Sequence, residues 1–407
     1  MRSVTIVFFD AGGGHRNAAE ALKSTLEEQP GGWAVQLLNL QEWLDSLDVF
    51  RGVTGVRTQD LYNIVLRRGW TRLSPQLLQV LQAVIRANHG RIVRRLQSYW
   101  RQNPSDLVLS VIPHFNRALA ESMDRSLPKA PFVTLLTDLA DYPPHFWIEH
   151  ESEYLICGTE RARQQALELG HAPERIFETS GMILKPKFYQ HSVLDRVRER
   201  ERIGLESDVP TGVVLFGGHG SPAMVEIARR LEKSSAELQL IMLCGHSHKT
   251  QLALHSLRPK KRMIVQGFTS EVNYYMGLAD FFIGKPGPGS ISEALHFHLP
   301  VIVERNARTL PQERYNTEWL EEKRMGIVLC SFSEIADGVE RLLDPATFSE
   351  FRSNTMAYSN RALFEVPVIL DMIQRAHTSY SMQANGERPS SLVADRTFAA
   401  SAWASST

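Results

Sequence analysis

The sequence predicts an α/β protein: two doubly wound, Rossmann-like domains in series, facing a central cleft. Three observations predict it. Short β-branched and aromatic runs alternate with helix-patterned segments along most of the chain, as parallel sheets with crossover helices require. Three of those runs end in glycine-rich turns that lead straight into a helix, at Asp10–His15, Gly217–Pro222 and Gly284–Ser290. Finally, 407 residues exceed what one compact core usually organises.

Val4–Phe9 reads as the first strand, and Arg16–Leu26 has helical spacing. Ala34–Leu38 follows as a strand after Pro30-Gly31-Gly32. From about 50 to 103 no strand pattern appears, and a helical insertion is expected. Over 51–101 it carries ten arginines (Arg51, Arg57, Arg67, Arg68, Arg72, Arg86, Arg91, Arg94, Arg95, Arg101) against one acid, Asp60, interleaved with Tyr62, Trp70, Leu77 and other apolar residues. Strands resume at Leu107–Ile112, Phe132–Leu136 and Tyr154–Cys157, within an N-terminal domain over 1–182. The second domain, 183–362, has a charged helical stretch from Asp195 to Glu206. Its strands are expected at Gly212–Phe216, Leu240–Leu243, Met263–Val265, Phe281–Ile283, Val301–Val303 and Ile327–Leu329. A helix over 363–378 closes the fold. The tail, 379–407, is poor in large apolar residues and reads as disordered.

Hydrophobic content of 43% and charged content of 22% describe an ordinary globular protein, and the formal net charge of +0 predicts no polyanionic partner. Cys157, Cys244 and Cys330 each end an apolar run, so reduced core thiols in a reducing compartment are expected. The chain opens on its first strand without a secretory leader, and no apolar run nears the roughly 20 residues of a membrane span. The expected location is the cytoplasm, at the inner face of the cell membrane.

The chemistry concentrates at the turns. Three glycines and two prolines between Ile283 and Ser290 leave backbone N–H groups exposed before a helix, which suits a phosphate. Glu293, in the first helical turn, would reach a ribose on that phosphate. The turn is no Walker A, lacking Gly-Lys-Ser/Thr at its end. His15 ends the first glycine-rich turn, where a neutral imidazole can act as a general base. Asp138 ends a buried strand at the same edge and could orient His15, contact an acceptor hydroxyl, or simply cap a turn. His114 holds a similar position. Metal ligation has little support: there is no Asp-x-Asp, and His246-Ser247-His248 and His296-Phe297-His298 lack a carboxylate or Cys at ligand spacing. No nucleic-acid motif accompanies the arginines. With their aromatics they suggest either a solvated helix face or an interfacial site on anionic membrane, at about 1 kcal/mol per basic residue.

These residues carry a resemblance. Asp10-Ala11-Gly12-Gly13-Gly14-His15-Arg16-Asn17-Ala18-Ala19-Glu20-Ala21 resembles the N-terminal motif of monogalactosyldiacylglycerol synthases and the related processive diacylglycerol glucosyltransferases. Gln266-Gly267-Phe268, Met276–Asp280, Gly284–Leu295, Leu299–Val303 and Gln312-Glu313-Arg314-Tyr315-Asn316 are similar to the same family's donor domain, in the same order, up to about Tyr358. The wider group is glycosyltransferase family 28. The resemblance implies a GT-B, metal-independent, inverting transferase that needs no cofactor and moves a hexose from a UDP-sugar to a lipid, diacylglycerol foremost. It implies that His15 is the base, that Gly13 and Gly14 belong to its turn, and that Gly217 and Gly218 face the diphosphate. It further puts Phe268 at the uracil, Pro288, Gly289 and Ser290 in the phosphate turn, Glu293 at the ribose, and Gln312 and Glu313 at the donor sugar. One departure falls on the acceptor loop: His145 stands two residues before Trp147, where the family usually has a His three before. Transfer of N-acetylglucosamine to another lipid-linked acceptor stays open, as do a UDP-sugar 2-epimerase of the same architecture and a non-catalytic sugar-nucleotide sensor.

Overall fold

The computed structural model describes residues 2–10, 13–29, 31–45, 74–149, 153–190 and 194–384. They form two six-stranded sheets. The first holds β1 (Ser3–Phe8), β2 (Ala34–Asn39), β3 (Leu107–Ser110), β4 (Phe132–Leu135), β5 (Tyr154–Cys157) and β6 (Ile176–Glu178), in the order β2-β1-β3-β4-β5-β6. The second holds β7 (Thr211–Leu215), β8 (Gln239–Leu243), β9 (Met263–Gln266), β10 (Phe281–Gly284), β11 (Val301–Glu304) and β12 (Gly326–Leu329), in the order β12-β11-β10-β7-β8-β9. Every strand pair is parallel, with Ile6 opposite Leu109 and Phe282 opposite Val213. The central strands β3, β4, β7, β8 and β10 are buried along their whole length, which is why they read as unbroken apolar runs.

Strand order reverses between β1 and β3 in the first sheet and between β10 and β7 in the second. At such a point neighbouring loops leave in opposite directions and open a crevice at the carboxyl edge, the usual ligand position in open α/β sheets. The turns after β1, β3, β7 and β10 therefore define where chemistry can occur.

The last helix, Ala362–Ala384, returns to the first domain. Its Leu363, Val366, Leu370 and Ile373 are fully buried in one cluster with Val4, Ile6, Leu22 and Leu109. The two chain crossings between domains are tied together: the Arg361 amide donates to Ser180 Oγ at 2.7 Å, the Ser180 amide donates to Glu365 Oε2 at 2.7 Å, and Asn360 Nδ2 donates to the Met182 carbonyl at 2.9 Å. Another buried cluster spans both domains, joining Leu139 and Ala140 to Met276, Ile291 and Tyr315.

Several expectations need correction. The edge strand β6 was not foreseen; it is three residues long and only half-buried, so it carries little apolar signal. The closing helix runs to Ala384 rather than 378, so the expected start of the tail at 379 is wrong. Cys330 is exposed just beyond β12, while Cys157 and Cys244 are buried as expected. Within the arginine-rich insertion, residues 74–102 form one helix without an acid, burying Ile85, Ile92, Val93, Leu96 and Trp100 and exposing Arg86, Arg91, Arg94, Arg95 and Arg101. Arg51, Arg57, Asp60, Arg67, Arg68 and Arg72 lie outside the described residues, as does the rest of the tail. Among the described residues no helix is long and apolar enough to cross a membrane.

Candidate active site

The first wall of the cleft is built on the turns after β1, β3 and β4. Gly13 takes φ 81°, a left-handed conformation that suits glycine, and starts the helix Gly14–Glu28. Arg16 clamps this turn through a two-pronged contact with Asp10, at 2.7 and 2.6 Å. The clamp sets His15 on the cleft wall. Its Nδ1 lies 3.1 Å from Thr137 Oγ1, and its ring packs 5.8 Å from Trp147. Burial pushes the imidazole down to about 4, against a hydrogen bond to the Val111 backbone. His114, at φ 71° behind β3, is likewise pushed down to about 4 by burial and by the neighbouring His15. Both rings are thus neutral at pH 7, and a neutral ring can accept a proton.

Asp138 does not orient His15. Its Oδ2 accepts from the buried Trp147 indole at 2.9 Å, and Thr137 holds the imidazole instead. Burial raises the Asp138 carboxyl to about 7, with the Trp147 hydrogen bond opposing and the charges of Glu313 and Lys285 reaching it from the second domain. Asp141 shapes the loop that follows it by accepting from the amides of His145, Phe146 and Trp147 at 2.9, 2.9 and 2.6 Å. This leaves His145 exposed and Trp147 fully buried.

The opposite wall comes from the turns after β7 and β10. A side chain on Gly220 would meet the Cys244 carbonyl at 2.4 Å, one on Gly245 the Gly218 carbonyl at 2.3 Å, and one on Gly284 the Leu215 carbonyl at 2.4 Å. Packing alone explains those three glycines. It does not explain Gly14, Gly218 or Gly289, where a Cβ would meet nothing within 4 Å. The space beside them is open, which leaves room for close backbone approach of a ligand. The helix Pro288–His296 starts at Gly287 with no side-chain cap, so its first amides are free of a capping side chain beside Ser290. Glu293 stands in the second turn of this helix, not the first. Burial raises its carboxyl to about 7, with Lys185 and Lys187 opposing.

Glu313, in the first turn of the helix Pro311–Glu322 beside Gln312, is buried and accepts from Lys285 Nζ at 3.0 Å. Phe268 is 61% exposed and stacks on His246, 4.0 Å away and tilted by 16°. Sequence reasoning did not single out Lys285, Thr137, Trp147 or His246 as site residues. Lys285 had a signal, being the basic residue inside the glycine-rich turn; Thr137 precedes Asp138, and only the fold shows which of the two faces His15.

Two parallel sheets whose reversal points face each other across one cleft, one of them lined by open glycine turns, define a two-domain GT-B architecture. Solved structures share the fold: Acinetobacter baumannii MurG, at 12% identity and TM-score 0.61, covers 91% of this chain and 100% of its own. A Neisseria meningitidis UDP-GlcNAc 2-epimerase bound to UDP-GlcNAc matches at 13% identity and TM-score 0.55, over 93% of this chain and 100% of its own. Sequence is more selective. Residues 213–365 match the glycosyltransferase family 28 C-terminal domain. A monogalactosyldiacylglycerol synthase of Spinacia oleracea is 27% identical over 84% of this chain and 66% of its own length. A probable monogalactosyldiacylglycerol synthase 2 of Oryza sativa is 27% identical over 92% of this chain and 80% of its own. Residues 213–365 thus carry the family 28 C-terminal domain, and the chain is a UDP-sugar-dependent glycosyltransferase similar to the monogalactosyldiacylglycerol synthases.

The depressed imidazole has a direct consequence. Between about pH 5 and 8 the His15 ring of the free protein should stay neutral, where a solvated histidine would take up a proton near 6.5. Nitrogen-15 histidine NMR, assigned with His15→Gln, checks this; a His15 midpoint near 6.5 would mean that the ring is not shielded by the cleft.

Proposed function

We propose that the protein transfers a hexose from a UDP-sugar to a lipid acceptor, diacylglycerol foremost, in one inverting step without a divalent metal. The observation that carries the reading is that Asp138, on the wall that holds His15, is reached by the charges of Glu313 and Lys285 from the opposite wall, where the turns with Gly218 and Gly289 stand open. His15 would take the acceptor hydroxyl proton. The oxygen would attack the anomeric carbon as the bond to the diphosphate breaks on the opposite face. Charge then builds on the leaving diphosphate, where the backbone donors of the two turns would stabilise it. Glu293 would hold the ribose, Phe268 the uracil, and Gln312 with Glu313 the sugar. The names of the sequence relatives support diacylglycerol as acceptor.

Incubation with a panel of radiolabelled UDP-sugars, a total lipid extract and excess EDTA tests this. Transfer of one hexose to diacylglycerol is expected, and His15→Ala should lower turnover by about 10²–10⁴-fold with UDP affinity barely changed. Epimerised UDP-sugar without lipid product, label on a different lipid acceptor, or activity that requires added magnesium or manganese would each contradict it.

We further propose that the insertion holds the protein on anionic membrane. The exposed arginine face of the helix Ser74–Gln102 supports this. Replacing Arg67, Arg68, Arg91, Arg94 and Arg95 by Gln should release the protein from anionic liposomes and lower activity on lipid more than UDP binding. Unchanged sedimentation with liposomes would reduce the segment to a solvated face.

A further inference from the structure

Lys285 is the cation inside the turn after β10, and its neighbours are the turns that face the cleft. Its Cε lies 3.8 Å from where a Cβ on Gly217 would stand and 3.2 Å from one on Gly287. The ammonium thus sits between the two glycine turns. Its carboxylate partner there is Glu313 at 3.0 Å, with the charge of Asp138 reaching it from the other wall. The partners are unequally placed: the Lys285 side chain is 43% exposed and that of Glu313 is 9% exposed. The lysine can leave without opening the core, whereas the carboxylate is fixed at the start of its helix.

We propose that Lys285 is a ligand of the donor diphosphate held in reserve by Glu313: the arriving diphosphate takes the ammonium, and the released carboxylate accepts hydrogen bonds from the donor sugar. This rests on the UDP-sugar reading above. Two phosphoryl groups carry more charge than one carboxylate, and a partly exposed ammonium moves toward the larger charge. A buried carboxylate that loses its cation needs new donors, and sugar hydroxyls supply them. The exchange makes Glu313 available to the sugar only when a diphosphate is in place. Lys285 then faces the leaving group, where charge develops during transfer.

The exchange predicts opposite effects on two ligands. Glu313→Gln removes the competitor for the ammonium, so calorimetry should show UDP binding tightened by about fivefold, the upper range for a pair with one exposed partner. The same variant should lose roughly tenfold or more in kcat/KM for the UDP-sugar, because a charged acceptor for the sugar is gone. Lys285→Gln should weaken UDP binding by roughly 10–100-fold. In the Lys285→Gln background, Glu313→Gln should no longer tighten it. UDP affinity unchanged or weaker in a folded Glu313→Gln protein overturns the exchange, with the UDP-sugar reading intact. If Glu313→Gln does not fold, Lys285→Gln alone decides: unchanged UDP affinity would leave Lys285 a clamp on Glu313. Failure of the wild-type protein to bind UDP would overturn both the exchange and the reading beneath it.

Discussion

The geometry depends on a constraint of parallel sheets. Where strand order reverses, the crossover connections after the two neighbouring strands leave in opposite directions, and the starts of their helices border one crevice. Those amides must be satisfied by a cap, water or a ligand. In this chain the helices that start after β1, β3, β7 and β10 have no side-chain cap hydrogen bond. Away from the reversal points both arrangements occur: Thr159 caps the helix after β5 and Ser247 the helix after β8, while the helices Val272–Leu278 and Pro311–Glu322 have no side-chain cap. Donors are thus left available at the two places that face each other. The second sheet presents uncapped helix starts there, and the first sheet presents a neutral imidazole and a carboxyl raised by burial.

The same dryness that shifts these groups strengthens the contacts a diphosphate would make, because charges interact more strongly away from water. It also explains the pairing of Lys285 with Glu313, since a buried carboxylate is costly without a cation. The walls are joined so that their facing is preserved. Tyr142 and Tyr315 meet across the domains at 5.8 Å, and Arg161 supports the Tyr142 hydroxyl at 3.2 Å. At the crossings, a Cβ on Gly181 would come within 2.3 Å of the Tyr358 hydroxyl, so the two strands of chain pass in close contact.

Much of this was legible in the sequence because central parallel strands bury both faces. Val213-Val214-Leu215 and Phe281-Phe282-Ile283 announce themselves as apolar runs, and glycine turns after them mark the carboxyl edge. What was not legible has physical reasons. β6 and Cys330 lie at margins where burial, and so pattern, is weak. Asp138 and Thr137 are adjacent in the bend that follows β4, where no strand alternation assigns faces, so only the fold tells which meets His15. The partner of Lys285 lies 28 residues away on the helix Pro311–Glu322, beyond any local pattern. The placement of Glu293 in the second turn turns on where the helix starts, and Pro288 sets that start.

On the proposed function, the nucleotide diphosphate binds at the reversal point of the second sheet, across the cleft from the wall that holds His15. A crystal structure of the full chain with UDP tests it most directly. The diphosphate is expected against Gly218 and Gly289, within reach of the first amides of the helix Pro288–His296, with the uracil beside Phe268. A UDP molecule seated on the first sheet's turns would contradict it, and so would one in the cavity of about 780 Å³ behind Tyr142 and Tyr315.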